Sequence, residues 1–97
     1  MTPFGFSFNS DDFLVVSEAF GGAPNQSAAS SYSSDQTGVL NMITGSLHNN
    51  QTASCWVMIP NSGTQAIVSN TGSGTISTYN VGGNGVLTLA NAVAANL

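Results

Sequence analysis

Apolar and polar residues alternate with a period of two along most of this chain, in short runs separated by clusters of Gly, Asn, Asp and Ser. That period places successive side chains on opposite faces of an extended backbone, so each run reads as a strand. Phe4, Phe6 and Phe8 put three aromatic rings on one face of a first strand, and Phe13 to Ala19 forms a second. Ser27 to Ser33 and Val39 to Thr44 follow. Ser54 to Ile59, Gln65 to Asn70, Thr75 to Val81 and Val86 to Ala90 complete the set. The links Asn9-Ser10-Asp11-Asp12, Asn61-Ser62-Gly63 and Gly82-Gly83-Asn84-Gly85 supply residues that tolerate positive φ in hairpin turns. In the tail, Leu89, Ala92, Val93 and Leu97 also fit a helical stripe, and alanine favours helix, so a short C-terminal helix competes with the last strand.

The pattern occurs twice. Ser30-Ser31-Tyr32 with Gly38-Val39-Leu40 returns 47 residues later as Ser77-Thr78-Tyr79 with Gly85-Val86-Leu87. Val15-Val16-Ser17-Glu18-Ala19 answers to Ile67-Val68-Ser69-Asn70-Thr71 at a spacing of 52. The additional residues fall in the loop Gly21-Gly22-Ala23-Pro24-Asn25-Gln26 of the first copy. Four antiparallel strands per unit at this period predict an all-β chain of two four-stranded β-propeller blades, residues 1–50 and 51–97. A blade buries its faces against two neighbours, and propellers typically hold about 4 to 8 blades. Two blades therefore predict either a partial propeller completed by remaining blades or copies of this chain closing a ring as a cyclic homo-oligomer.

Charge narrows the partners. The 97 residues contain no Lys or Arg, four acidic residues and one His, for a net charge of −4. Affinity for nucleic acid rests on cations that displace counterions from phosphate, and anionic membrane surfaces recruit basic clusters. Neither partner is expected. With 41% hydrophobic residues the chain folds rather than staying disordered, and Ser, Asn, Thr and Gly, nearly half of it, take the place of charge. A single cysteine, Cys55, excludes an internal disulfide and a multi-thiolate metal site and reads as a small buried hydrophobe. Met1 to Gly5 lacks the basic leader and apolar run of a secretory signal, and the compartment stays open. Asn25-Gln26-Ser27 and Asn50-Gln51-Thr52 match the glycosylation sequon, as expected by chance in so Asn-rich a chain.

Several separated motifs carry a resemblance. Pro3-Phe4-Gly5-Phe6-Ser7-Phe8, Val16-Ser17-Glu18-Ala19 with Gly21-Gly22-Ala23-Pro24-Asn25, Ser54-Cys55-Trp56-Val57 and Val68 to Ile76 resemble the lactonase-like seven-bladed β-propeller family. That family includes 6-phosphogluconolactonases and carboxymuconate cyclases, and the resemblance implies two consecutive blades of a longer parent. It also implies Arg, with His and Glu, around an anionic lactone to stabilise the developing oxyanion. This chain has no Arg, and Gly-rich turns such as Gly21-Gly22 and Gly72-Ser73-Gly74 are a poor replacement as anion nests.

Candidate site residues follow from position and chemistry. Glu18 ends the second strand beside the longest loop, where a carboxylate can serve as general base; its counterpart in the second copy is Asn70. The bland alternative is a solvated or turn-capping carboxylate. His48, in the polar connection between the blades, is the one side chain that normally titrates near neutrality, or else an exposed loop histidine. Trp56 and Tyr79, with Asn70, are candidate ligand-binding residues for a sugar ring, against the alternative for Trp56 of packing between blades. Asp11, Asp12 and Asp35 read as turn residues, and the motifs imply no metal and no cofactor. The leading expectation is a structural or ligand-binding scaffold. The alternative is a lactone hydrolase or cyclase using Glu18 and His48, with the missing cations supplied by other blades. A carbohydrate-binding module is the third.

Overall fold

The computed structural model describes residues 2–35 and 37–97, which form eight strands and one short 3₁₀ turn at Phe20–Gly22. The strands are β1 (Pro3–Phe8), β2 (Phe13–Glu18), β3 (Ala28–Ser34), β4 (Leu40–His48), β5 (Ser54–Met58), β6 (Gln65–Asn70), β7 (Thr75–Val81) and β8 (Leu87–Asn96). They build two four-stranded antiparallel sheets, ordered β1-β2-β3-β4 and β5-β6-β7-β8, each a meander in which neighbours in sequence are neighbours in space. The two sheets, called the first and second blade below, do not close on themselves, an arrangement consistent with a partial propeller-like fragment.

The tail decides between the strand and the helix that the sequence left open. Leu87–Asn96 is a strand, not a helix, because it pairs along its length with β7 from Val81↔Leu87 to Thr75↔Asn96. Pairing with a preformed β7 satisfies the backbone groups that an isolated helical turn would need ten or more residues to satisfy cooperatively.

The repeat survives in detail. Ser17 pairs with Ala29 as Ser69 pairs with Ile76, and Glu18 with Ala28 as Asn70 with Thr75. The inner strands carry the same irregularity: the register slips between Pro3 and Phe6 in one blade and between Ser54 and Val57 in the other. At each slip a backbone N–H finds a serine hydroxyl instead of a ladder partner, Gly5 N donating to Ser17 Oγ and Trp56 N to Ser69 Oγ. Gly5 therefore corresponds to Trp56, and Phe4, Phe6 and Phe8 correspond to Cys55, Val57 and Ile59.

The core lies between the blades. Val15 and Ala29 of the first meet Ala66, Val68, Tyr79, Val81 and Leu87 of the second, with Leu47, Val57 and Ile59 packed around them. The small side chains let the sheets approach closely, and hydroxyls and amides stitch the margin. Ser17 Oγ donates to the Cys55 carbonyl, Ser31 Oγ to the Gly85 carbonyl at 2.7 Å and Asn9 Nδ2 to the Gly63 carbonyl at 3.0 Å. In return Leu87 N donates to Thr44 Oγ1 at 3.0 Å. Gly85 has φ +83°, and a Cβ there would press on Phe13 and Ile43, so this contact requires glycine. The serine and asparagine content thus does interior work: Ser17, Ser27, Ser30, Ser31, Ser54, Ser77, Asn49 and Asn70 are all fully buried. Among the described residues no buried side-chain polar atom lacks a partner.

Tyr79 belongs to this junction. Its ring is fully buried and its hydroxyl donates to the Leu47 carbonyl at 2.9 Å, across the blades. Burial, reinforced by the negative charge of Glu18, pushes the phenol above its ordinary value of 10.0. A folded-state pKa above the unfolded one means the folded chain holds its proton longer. The contribution is then intact below the unfolded value and lost as pH rises through it. We predict that unfolding free energy falls between about pH 9 and 12 in the wild type, and that Tyr79→Phe flattens this slope while costing about 1–2 kcal/mol at pH 7, read by urea titrations.

Candidate functional site

The side of the first blade turned away from the second carries the strongest candidate site. Phe6 faces Val16 and Phe8 faces Leu14 across the β1–β2 ladder, so these four share a face. Phe4, Phe6 and Phe8 are 56%, 66% and 50% exposed, and with Pro3, Gly5, Leu14 and Val16 they line an apolar groove of about 290 Å³. The corresponding face of the second blade, formed by Val57, Ile59, Ala66, Val68 and Tyr79, is the one buried against the first.

Strand alternation carries this face along β2 from Leu14 and Val16 to Glu18, and pairing extends it to Ser30 and Tyr32 on β3. Glu18 is fully buried, so it is neither a solvated nor a turn-capping carboxylate. Oε2 accepts from Ser30 Oγ at 2.9 Å and Oε1 from Ser46 Oγ at 2.6 Å. Ser30 Oγ also lies 3.0 Å from the Tyr32 hydroxyl. With the serine proton committed to the carboxylate, the phenol donates to the serine, giving a relay Tyr32–Ser30–Glu18 that leads from a half-buried ring to a buried charge. The chain has no Lys or Arg to balance that charge, so the two serines carry its solvation.

Asn70 holds the same place in the second blade and is not a free ligand-binding amide, because all its hydrogen-bonding capacity is used internally. Oδ1 accepts from Ser54 Oγ at 2.5 Å and from Asn49 Nδ2 at 3.2 Å, while Nδ2 donates to Thr75 Oγ1 at 3.1 Å and Ser77 Oγ at 2.9 Å. Ser77 passes its own proton to the Ala92 carbonyl at 2.6 Å. Asn49 comes from the connection between blades, so Asn70 anchors the second blade to the first.

His48 and Glu18 occupy one row across the sheet, both paired with Ala28, but no hydrogen bond joins them. The imidazole lies at the exposed edge, its Nδ1 2.9 Å from the Gln26 carbonyl and its ring 5.2 Å from that of Phe20. A carbonyl only accepts, so Nδ1 carries the proton of this bond. Phe20 adopts φ +50°, an uncommon backbone state for a bulky side chain, held by the loop against this histidine.

Trp56 is 67% exposed and stands edge-on to Phe4, with centroids 5.8 Å apart. Tyr79 is the other sugar-stacking candidate, and the structure corrects that expectation: its ring is sealed between the blades, so no sugar can reach it. Cys55 is half-buried rather than buried, its Sγ 3.3 Å from both the Ala53 carbonyl and Thr71 Oγ1. Asp35 is a turn residue: its carboxylate accepts from Thr37 Oγ1 and from the backbone N–H groups of Thr37 and Val39, and these bonds hold its pKa below the usual 3.8.

Sequence reasoning missed Ser30, Tyr32 and Ser46 as partners of Glu18, and Asn49 as the anchor of Asn70. The repeated Ser30-Ser31-Tyr32 and Ser77-Thr78-Tyr79 was the available signal, since a serine two strand positions before a tyrosine shares its face. Comparison with protein-family models, with curated proteins and with solved structures found no match to this chain.

Proposed function

We propose that the chain is a two-blade segment of a lactonase-like β-propeller acting as a structural or ligand-binding scaffold, its aromatic first face receiving a further blade. One observation carries this reading: the same face is buried on the second blade by the first, and on the first blade it is apolar and open. Contiguous exposed apolar surface with no flanking cation is unusual on a lone soluble domain and typical of a contact surface. Nor do strand edges here carry the lysines that discourage edge pairing.

A second reading, a lactone hydrolase or cyclase, draws on Glu18. A buried carboxylate without a cation is costly, and the sister blade fills the position with neutral Asn70. In an enzyme the Tyr32–Ser30–Glu18 relay would take up the proton of an attacking water. The two readings separate on Glu18→Gln. On the scaffold reading the wild type turns over none of a panel of aliphatic and sugar lactones, and the variant is more stable by about 1 kcal/mol, since a buried charge is removed, Ser46 donates to the amide oxygen, and Ser30 accepts from the amide N–H and turns its own proton to the Tyr32 hydroxyl. Lactone turnover that disappears in a folded Glu18→Gln chain defeats the scaffold reading.

A further inference from the structure

The junction between the blades requires small residues on its covering side. A Cβ at Gly5 would overlap the Cys55 carbonyl oxygen and lie 3.1 Å from the Trp56 Cα. Around Gly5 the covering face is Ser7, Val15, Ser17, Ala29 and Ser31, small enough for β1 and β2 to lie directly on β5. Register equivalence identifies the corresponding face of the second blade as Trp56, Met58, Ile67, Ser69, Ile76 and Thr78. Every position but the serine is larger there, and Gly5 has become tryptophan.

The receiving side changes in the same direction. Where the second blade offers Val57, Ile59 and Ala66 to the first, the first blade offers Phe6, Phe8 and Leu14. A second copy docked head to tail through the repeated junction would place Trp56 against the Phe4 carbonyl and Met58 among the phenyl rings. Interiors tolerate little added volume, and one surplus methylene is already felt. Two enlarged faces cannot share a spacing set by glycine.

We infer that the occupant of the Phe4–Phe6–Phe8 face is a blade of different sequence rather than a second copy of this chain. It presents glycine opposite the Phe4 carbonyl, small apolar residues toward Leu14 and Val16, and a hydroxyl in the place of Ser17 to donate to that carbonyl. The inference rests on the scaffold reading and names its partner.

The test extends the full chain at its N-terminus with one additional blade, joined at the spacing of the natural inter-blade connection. One fusion carries a second copy of residues 1–50, whose covering face has glycine; the other carries residues 51–97, whose covering face has Trp56. In both, Cys55→Ser in every copy and Phe6→Cys in the resident first blade leave one reporter thiol on the face in question, and its labelling rate by a maleimide is read against the unextended chain. The glycine-bearing blade slows labelling at least tenfold. The tryptophan-bearing blade leaves the rate unchanged until Trp56→Gly and Met58→Ser are introduced in the added copy, after which labelling slows. Equal protection by both unmodified fusions overturns the inference and leaves the scaffold reading standing. Protection by neither, with circular dichroism showing the strands intact, overturns the scaffold reading itself.

Discussion

Replacing Asn70 with leucine is expected to lower unfolding free energy by about 3–5 kcal/mol, much of what a domain of this size has. The side chain is fully buried and makes four hydrogen bonds, two accepted and two donated. Leucine has similar volume, so the change removes polarity without opening a cavity. The loss then falls on the partners: the Ser54 hydroxyl loses its acceptor, and Asn49 Nδ2 loses the nearer of its two, keeping Ser54 Oγ at 3.3 Å. Each orphaned buried donor costs about 1–3 kcal/mol. Asn49 comes from the connection between blades, so the damage reaches the junction and the unfolding transition should broaden as the blades uncouple. Urea unfolding at pH 7 measures this. A loss below about 1 kcal/mol would mean the network contributes little beyond what water supplies.

Gly5→Val is expected to cost about 3 kcal/mol, a fall of roughly 12–24 °C in Tm for a domain of this length. The position is not in a left-handed turn, so backbone freedom is not the issue. The added Cβ meets backbone, the Cys55 carbonyl oxygen, and backbone on both sides is fixed. Gly5 N is bonded to Ser17 Oγ, and that same hydroxyl donates to Cys55, so neither strand retreats without breaking the bridge. Gly45→Ala is the control. A Cβ there meets only the flexible Met42 Sδ at 3.3 Å, so its effect on thermal unfolding should stay within about 0.5 kcal/mol.

The strands were legible because alternation and turn chemistry agreed at nearly every step. Asn9 and Gly63, placed in turns by composition, also meet across the blades, which no local pattern shows. The helical stripe at Leu89, Ala92, Val93 and Leu97 left the tail ambiguous because intrinsic preference says nothing about an available partner strand, and β7 provides one. The equivalence of Glu18 and Asn70 was visible as a repeat. That both are buried, one holding hydroxyl protons and the other holding the blades together, depends on cross-strand neighbours set by register. Tyr79 misled for the same reason. A tyrosine on an alternating strand is equally at home stacking a sugar or sealing a junction, and only the second sheet decides which. Trp56 became informative through its equivalence to Gly5, which required seeing both inner strands slip at the same point.

The central claim is that the aromatic face of the first blade is an incomplete blade junction. Sedimentation velocity over a wide range of concentration tests it most directly, comparing the wild type with a Phe6→Asp/Phe8→Asp variant of unchanged strand content. The wild type should associate weakly by contact of one exposed aromatic face with another, not by the head-to-tail junction that Trp56 and Met58 block, its mass rising with concentration without settling at a closed ring, while the variant stays at the 9.8 kDa of one chain. A wild type that remains a folded monomer across the same range, indistinguishable from the variant, would contradict the account.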